Sequence, residues 1–268
     1  MASFSVVSNI ASANATANLT VTQTGLSRAL GRLSSGYRIN YSGDDAAGLA
    51  VANDYRNKVA ILNQGIRNAN DGLSKLQIKD GALSNISTLL DRLATLATQA
   101  GSSSNGVDIG KLSDEYEAVL EEIDREAVVG GLDADEDFSV FVSAEATPAD
   151  GAVSDTIGGV DTTSLGLTIT SLGDAAEAQD ALAEIQAAVS SLGDVQNTIG
   201  ALQNRLQFAM GLAQSQAVNN KAAESRIRDA NIAEESANMA KYNILTQAGM
   251  AALSQANQAN QAVLSLLR

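Results

Sequence analysis

Six apolar positions spaced seven apart, Leu62, Ala69, Leu76, Leu83, Leu90 and Ala97, constrain this chain more than any other feature of it. A seven-residue repeat sustained over that span is the seam of a coiled coil, because 3.5 residues per turn keeps one edge of a helix facing a partner. A second row, Val59, Ile66 and Leu73, breaks at Asp80 and resumes at Ile86 and Leu93. Asp44-Asp45 opens the helix at the positive end of its dipole, and the pattern runs to about Gln99. At 1.5 Å per residue this is a rod on the order of 80 Å long, too long to sit inside one small globule.

A second long helical pattern is placed to run back along the first. Asp174 begins it, with Glu177 three residues on as in a capping box. Ala178, Leu182, Ile185, Val189 and Leu192 alternate in 4-3 spacing, and Val195, Ile199, Leu202, Leu206 and Ala209 continue after a slip. No strong breaker follows, so one helix is predicted to lead into the last stretch. Between the rods, Ser113 is predicted to cap a third helix carrying Tyr116, Leu120, Ile123 and Ala127, ended by Gly130-Gly131. From Leu132 to Gly173 the pattern changes, with the only proline, Pro148, and two alternating runs, Phe138–Val142 and Leu165–Ile169, that read as strands. The expected fold class is mainly α: long antiparallel helical rods with a small β element at one end, the terminal helices pairing as a coiled coil.

Charge separates the ends from the middle. Between Val107 and Glu177, eighteen Asp and Glu stand against Lys111 and Arg125, whereas residues 1–43 and 236–268 contain no acid at all. The first of these stretches predicts a helix from about Ser5 to Leu33, with Leu19, Leu26, Leu30 and Leu33 on one side, stopped at Ser34-Ser35-Gly36. Its Thr and Asn content makes it marginal alone. In the second, Leu245, Ala248, Ala252, Ala256, Ala259, Val263 and Leu266 draw an apolar stripe opposite a face of neutral amides and hydroxyls. Such a helix at a chain end needs a partner.

Residue types exclude much chemistry. With no Cys and no His there is no disulfide, thiolate nucleophile, Ser-His-Asp triad or His/Cys zinc site. The net charge of −14 disfavours nucleic acid as a partner. No run reaches the roughly twenty apolar residues of a membrane span, and the N-terminus lacks the basic and apolar regions of a signal peptide. Asp44-Asp45 and Glu121-Glu122 are adjacent on helices and read as dipole and solvated-face residues. Asp133, Asp135 and Asp137 lack the Gly and Glu of a calcium loop. We therefore expect no catalytic residue, cofactor or metal. The charge-poor ends admit an intramolecular core, a membrane surface or packing against copies of the same chain. The first is too thin and the second wants Lys and Arg on the polar face, so stacking of neutral faces into an open helical polymer is favoured.

Particular motifs carry a family resemblance. Leu33-Ser-Ser-Gly-Tyr-Arg-Ile-Asn40, Asp44-Asp-Ala-Ala-Gly-Leu-Ala50 and Arg67-Asn-Ala-Asn-Asp-Gly72 resemble the N-terminal region of bacterial flagellin. Gly200-Ala-Leu-Gln-Asn-Arg205, Ser225-Arg-Ile-Arg-Asp229 and Gln255-Ala-Asn-Gln258 with Val263-Leu-Ser-Leu-Leu267 resemble its C-terminal region. The resemblance covers about 1–126 and 174–268. It implies a non-enzymatic subunit of the extracellular flagellar filament, exported without a cleaved signal. Residues 1–43 and 231–268 would form the inner-tube domain, 44–129 and 174–230 the outer-tube rods, and 130–173 a short variable region. A homopolymer is implied, with an export chaperone at the C-terminus and cap and hook-junction proteins as further partners. The alternatives are a hook–filament junction protein or, in another class, a coiled-coil adaptor or membrane-active helical protein. Ile123-Asp-Arg125 departs from the family in running into Glu-Ala-Val-Val rather than Thr-x-Phe-Asn-Gly. The family's site for a Toll-like innate-immune receptor maps onto Arg92, Leu96, Gln99 and Glu115, weakened because Ala94 and Thr95 replace its usual second Arg and Glu.

Overall fold

A computed structural model describes residues 9–102, 108–143 and 151–266, with side chains described as far as Ala259. In chain order the elements are α1 (Ile10–Ser35), α2 (Ala46–Ala100), α3 (Ile109–Gly130), β1 (Glu136–Phe141), β2 (Ala152–Ile157), α4 (Ala175–Arg228) and α5 (Ile232–Leu266). Two compact units result, one of residues up to 57 with those from 219 onward, the other of residues 58–218. Pro148 lies outside the described residues.

The 58–218 unit is organised by the seven-residue repeat of α2. Leu62, Ala69, Leu76, Leu83 and Leu90 are fully buried and Ala97 nearly so. The second row is not the one expected. It runs Gly65, Gly72, Lys79, Ile86, Leu93, Ala100, one step round the helix from Ile66 and Leu73, and all six of these residues are buried. Glycine leaves that edge bare, and β1 lies on it. A Cβ on Gly65 would come within 2.8 Å of the Val142 carbonyl carbon, and one on Gly72 within 2.7 Å of Val140 and 3.2 Å of Phe138. Two helix turns advance about 10.5 Å and three strand residues about 10 Å, so strand and helix stay in step as they run in opposite directions. One step further on, Lys79 meets the Glu136 carboxylate at 2.6 Å and donates to the Gly131 carbonyl. The buried ammonium is thereby paired, without which its desolvation would be prohibitive.

The remaining core comes from α3 and α4. Leu112, Tyr116, Leu120, Ile123 and Ala127 form the inner face of α3. On α4 the buried row is Ala178, Ala181, Ile185, Ala188 and Leu192, so alanines take places expected for Leu182 and Val189; Val189 is 44% exposed. Asp174 begins α4 as expected: its Oδ1 accepts from Ala176 N and Glu177 N, and Glu177 reaches back to Gly173 N at 2.7 Å.

Three expectations are corrected. Ser113 caps nothing, because α3 begins four residues earlier behind Asp108; its hydroxyl instead accepts from Leu172 N at 3.0 Å. Leu165–Ile169 is not a strand. Leu165 and Leu167 are buried as the alternation requires. The backbone N–H groups of Thr168 and Ile169, however, go to the Glu184 carboxylate at 2.8 and 3.1 Å rather than to a neighbouring strand. Burial pushes that carboxyl up, but the Thr168 hydroxyl and these two N–H groups outweigh it and hold it below the usual range. Asp124 accepts from Thr162 N and Oγ1, so residues 158–172 form a strap tied to α3 and α4. The partner of β1 is instead β2, in antiparallel register from Glu136↔Ile157 to Phe141↔Ala152. Its sequence, Ala-Val-Ser-Asp-Thr-Ile, buries only Ile157 and so lacks a period-2 signal. Last, the C-terminal helix is interrupted: α4 ends at Arg228 and α5 starts at Ile232. Asn231 Oδ1 accepts from Ala233 N at 3.1 Å, and Glu234 and Glu235 stand in the first turn, a helix start that apolar spacing does not register.

Candidate assembly surface

In the unit of residues up to 57 and from 219, the chain between α1 and α2 is joined to the α4–α5 break. Arg38 N donates to Arg228 O at 2.6 Å, Ala230 N donates to Gly36 O at 2.9 Å, and Tyr37 bridges Asp229. The Arg228 guanidinium lies 4.2 Å from the centre of the Tyr37 ring, within cation–π range. Gly36 takes the left-handed conformation that ends α1.

From this joint α1 and α5 run antiparallel. Arg32 pairs with Glu235 at 3.1 Å, the Tyr242 ring lies over Gly25, Leu19 lies over Gly249, and Asn9 Nδ2 donates to Ala256 O at 3.0 Å. From Arg32 through Gly25 to Leu19, steps of seven and six residues on α1 are met by seven and seven on α5, so the register holds along this span; Asn9, the N-cap of α1, reaches Ala256 from ten residues further on. The two glycines let a large side chain from the other helix sit where a Cβ would be: 2.6 Å from Tyr242 and 3.2 Å from Leu19. The threonines of α1 satisfy themselves, Thr16, Thr20, Thr22 and Thr24 each donating to the carbonyl four residues back. From Ile10 to Ser27 the helix thus keeps a polar surface without charge.

The leucines and alanines expected to carry assembly fall into two sets. Leu19, Leu26 and Leu33 on α1 and Ala256 on α5 are half-buried along the line of contact. Leu30 (47% exposed), Leu245 (43%), Ala248, Ala252 and Ala259 face water, and the side chains of Val263 and Leu266 lie outside the described residues. The edge of α5 turned to α1 is Tyr242, Thr246, Gly249, Leu253 and Ala256. Apolar spacing passes over this edge because threonine and glycine do not score as apolar, although their smallness permits the contact. The expected stripe borders it: Leu245, Ala248 and Ala252 line an open groove with Ala15, Leu19, Val21 and Thr22. Val21 (72% exposed) and Ile244 (66%) add to this apolar surface, while Met250 (52%) stands on the other flank of the contact edge.

Of the residues mapped to receptor recognition, Arg92 and Glu115 are joined across α2 and α3, Arg92 Nε donating to Glu115 Oε1 at 2.9 Å with both about half exposed. Gln99 is exposed. Leu96 is fully buried among the core residues of the 58–218 unit, so its side chain is withdrawn from any surface a receptor could read. Among the described residues no helix is long and apolar enough to cross a membrane.

Charge-poor terminal helices that pair through small residues and leave apolar side chains in water are the make-up of a structural, self-associating subunit. Residues 6–132 match the bacterial flagellin N-terminal helical region and residues 181–267 the bacterial flagellin C-terminal helical region. A flagellin of Halalkalibacterium halodurans is 35% identical over 267 residues, covering 97% of this chain and 98% of that one. The phase 1 flagellin of Salmonella naestved is 47% identical over 109 residues, which are 40% of this chain and 22% of that one. The crystal structure of Bacillus cereus flagellin aligns with 59% of this chain and 94% of its own at a TM-score of 0.48 and 33% identity. The chain belongs to the flagellin family, the structural subunits of the bacterial flagellar filament that serves motility.

Proposed function

We propose that this chain polymerises through the faces that α1 and α5 leave uncovered when they pair, residues 1–43 and 231–268 acting as the inner-tube domain. Residues 44–129 and 174–230 serve as the rods of the outer tube, and the short acidic region 130–173 faces solvent. The observation that carries this reading is the groove lined by Leu19, Val21, Leu245, Ala248 and Ala252, on stretches with no acid to repel another copy. The protein acts without catalysis, outside the cell, after export of the uncleaved chain. Its charge-poor C-terminus suits a chaperone that covers it before export, and the same faces suit the hook-junction and cap proteins at the filament ends.

Replacing Leu245 with Glu tests the groove. The side chain is already partly in water, so helicity and unfolding of the monomer should stay unchanged. A buried, unpaired carboxylate in the polymer should raise the critical concentration for seeded growth at least tenfold, read by sedimentation. Growth of Leu245→Glu at the wild-type critical concentration would show that this groove is not a contact.

A second reading concerns immune recognition, favoured by the exposed Arg92–Glu115 pair with Gln99 on the same unit. Monomer should activate a Toll-like flagellin receptor in reporter cells, and Glu115→Ala should weaken the signal severalfold. Silence of wild-type monomer at high concentration rules the reading out.

A further inference from the structure

The 58–218 unit also exposes apolar side chains that neither the core nor the terminal groove explains. On α4, Phe208 is 80% exposed, Leu212 61% and Val218 63%. At 100° per residue these three, with Gly211 and Ser215, fall within an arc of about 120° on the side opposite the buried Leu206, Ala213 and Ala217. From Leu206 to Val218 there is no ionisable residue, although the chain carries a net charge of −14. Among the described residues, nothing outside its own stretch of helix lies within 4 Å of where a Gly211 side chain would stand. Among the other exposed aliphatics of this unit, Ile78 stands beside Lys79 and Asp80, Val128 and Val129 follow Glu126, and Val189, at 44%, is less exposed than any of these.

An aromatic ring four-fifths in water, on a helix face stripped of charge, is unfavourable for a free monomer and favourable for an interface core, where charge is depleted and aromatics are enriched. Two copies of a strongly acidic chain repel each other wherever acids meet, and this face is one place on the unit where they do not. A membrane surface would call for Lys and Arg along the helix, and there are none between Arg205 and Lys221. We infer that the Phe208–Val218 face of α4 is a contact surface for a second copy of this chain, separate from the groove between α1 and α5. The inference rests on the polymerising role of the family but not on the terminal groove.

Two full-length variants test it. In Phe208→Glu/Leu212→Glu, both side chains are exposed beforehand, so helicity and the urea midpoint of the monomer should match wild type. The critical concentration for growth on wild-type seeds should rise at least tenfold. In Ser215→Cys, the new thiol is the only one in the chain, since the sequence has no cysteine. Copolymerised with excess wild type, it should react with a maleimide at least tenfold more slowly in filaments than in monomer. Equal labelling in filament and monomer overturns the inference, and labelling decides if the two variants disagree. A wild-type response to Leu245→Glu would remove the terminal groove as a contact and leave this test unaffected.

Discussion

Removal of residues 248–268 is expected to abolish filament elongation while leaving the 58–218 unit folded. The truncation deletes Gly249 and Ala256, and with them the seat of Leu19 and the acceptor of the Asn9 amide. What remains of the α1–α5 pairing is the end near the joint, where Tyr242 covers Gly25 and Arg32 meets Glu235. The first half of α1, rich in Ala, Asn and Thr, then has no partner. Helices of that length and composition are marginal in water, so it should fray. No contact of the 58–218 core is touched, since that core is made by α2, α3, α4 and the hairpin. Circular dichroism should show partial loss of helix, urea unfolding of the remaining core should keep its midpoint, and seeds should not grow. Tubes formed by the truncated chain would sink the claim that the terminal helices build the polymer.

Gly65→Val should destabilise the 58–218 unit by about 3 kcal/mol, the upper part of the usual range for overpacking a closed site. Intrinsic helix propensity pulls the other way by a few tenths of a kcal/mol, because Val is a somewhat better helix former than Gly. The steric effect wins, because what stands in the way is the Val142 carbonyl, main chain that cannot swing aside as a side-chain tip can. To admit even a Cβ, the strand must lift from α2, which uncovers Val140 and Phe138 and pulls Glu136 away from Lys79. Gly81→Ala on the same helix is the counterpart: with nothing within 4 Å, it should stabilise by about 1 kcal/mol. Urea denaturation of the two variants measures both. A wild-type midpoint for Gly65→Val would mean that β1 does not rest on the glycine edge.

The assembly surface was legible from sequence in its chemistry and less so in its orientation. That both ends lack acids, and that apolar side chains recur along them, can be read without a structure. Which of those side chains meet each other cannot. Leu245, Ala248 and Ala252 are the conspicuous apolar residues of α5, yet the line of contact runs through Thr246 and Gly249 beside them. The outward Phe208, Leu212 and Val218 were equally hidden, because spacing marks apolar positions without saying which side of a helix its neighbours cover. The burial of the mapped residue Leu96 was hidden for a related reason: a motif match transfers identity and not exposure.

By itself the sequence determined the helices, their approximate ends, the repeat that makes α2 a seam, the Asp174 start of α4 and the contrast between acid-free ends and acidic middle. Each of these depends on residues a few positions apart, or on composition summed over a stretch. Only the tertiary structure decided that β1 lies on Gly65 and Gly72, that residues 165–169 bond to Glu184 instead of forming a strand, and that α5 separates from α4 at residues 229–231. In the first two cases the deciding partner is distant in the chain, and at the break the capping by Asn231 is joined by the bridge to Tyr37. A glycine is silent in an apolar pattern until something packs against it, and a carboxylate is merely charge until a backbone N–H arrives to use it.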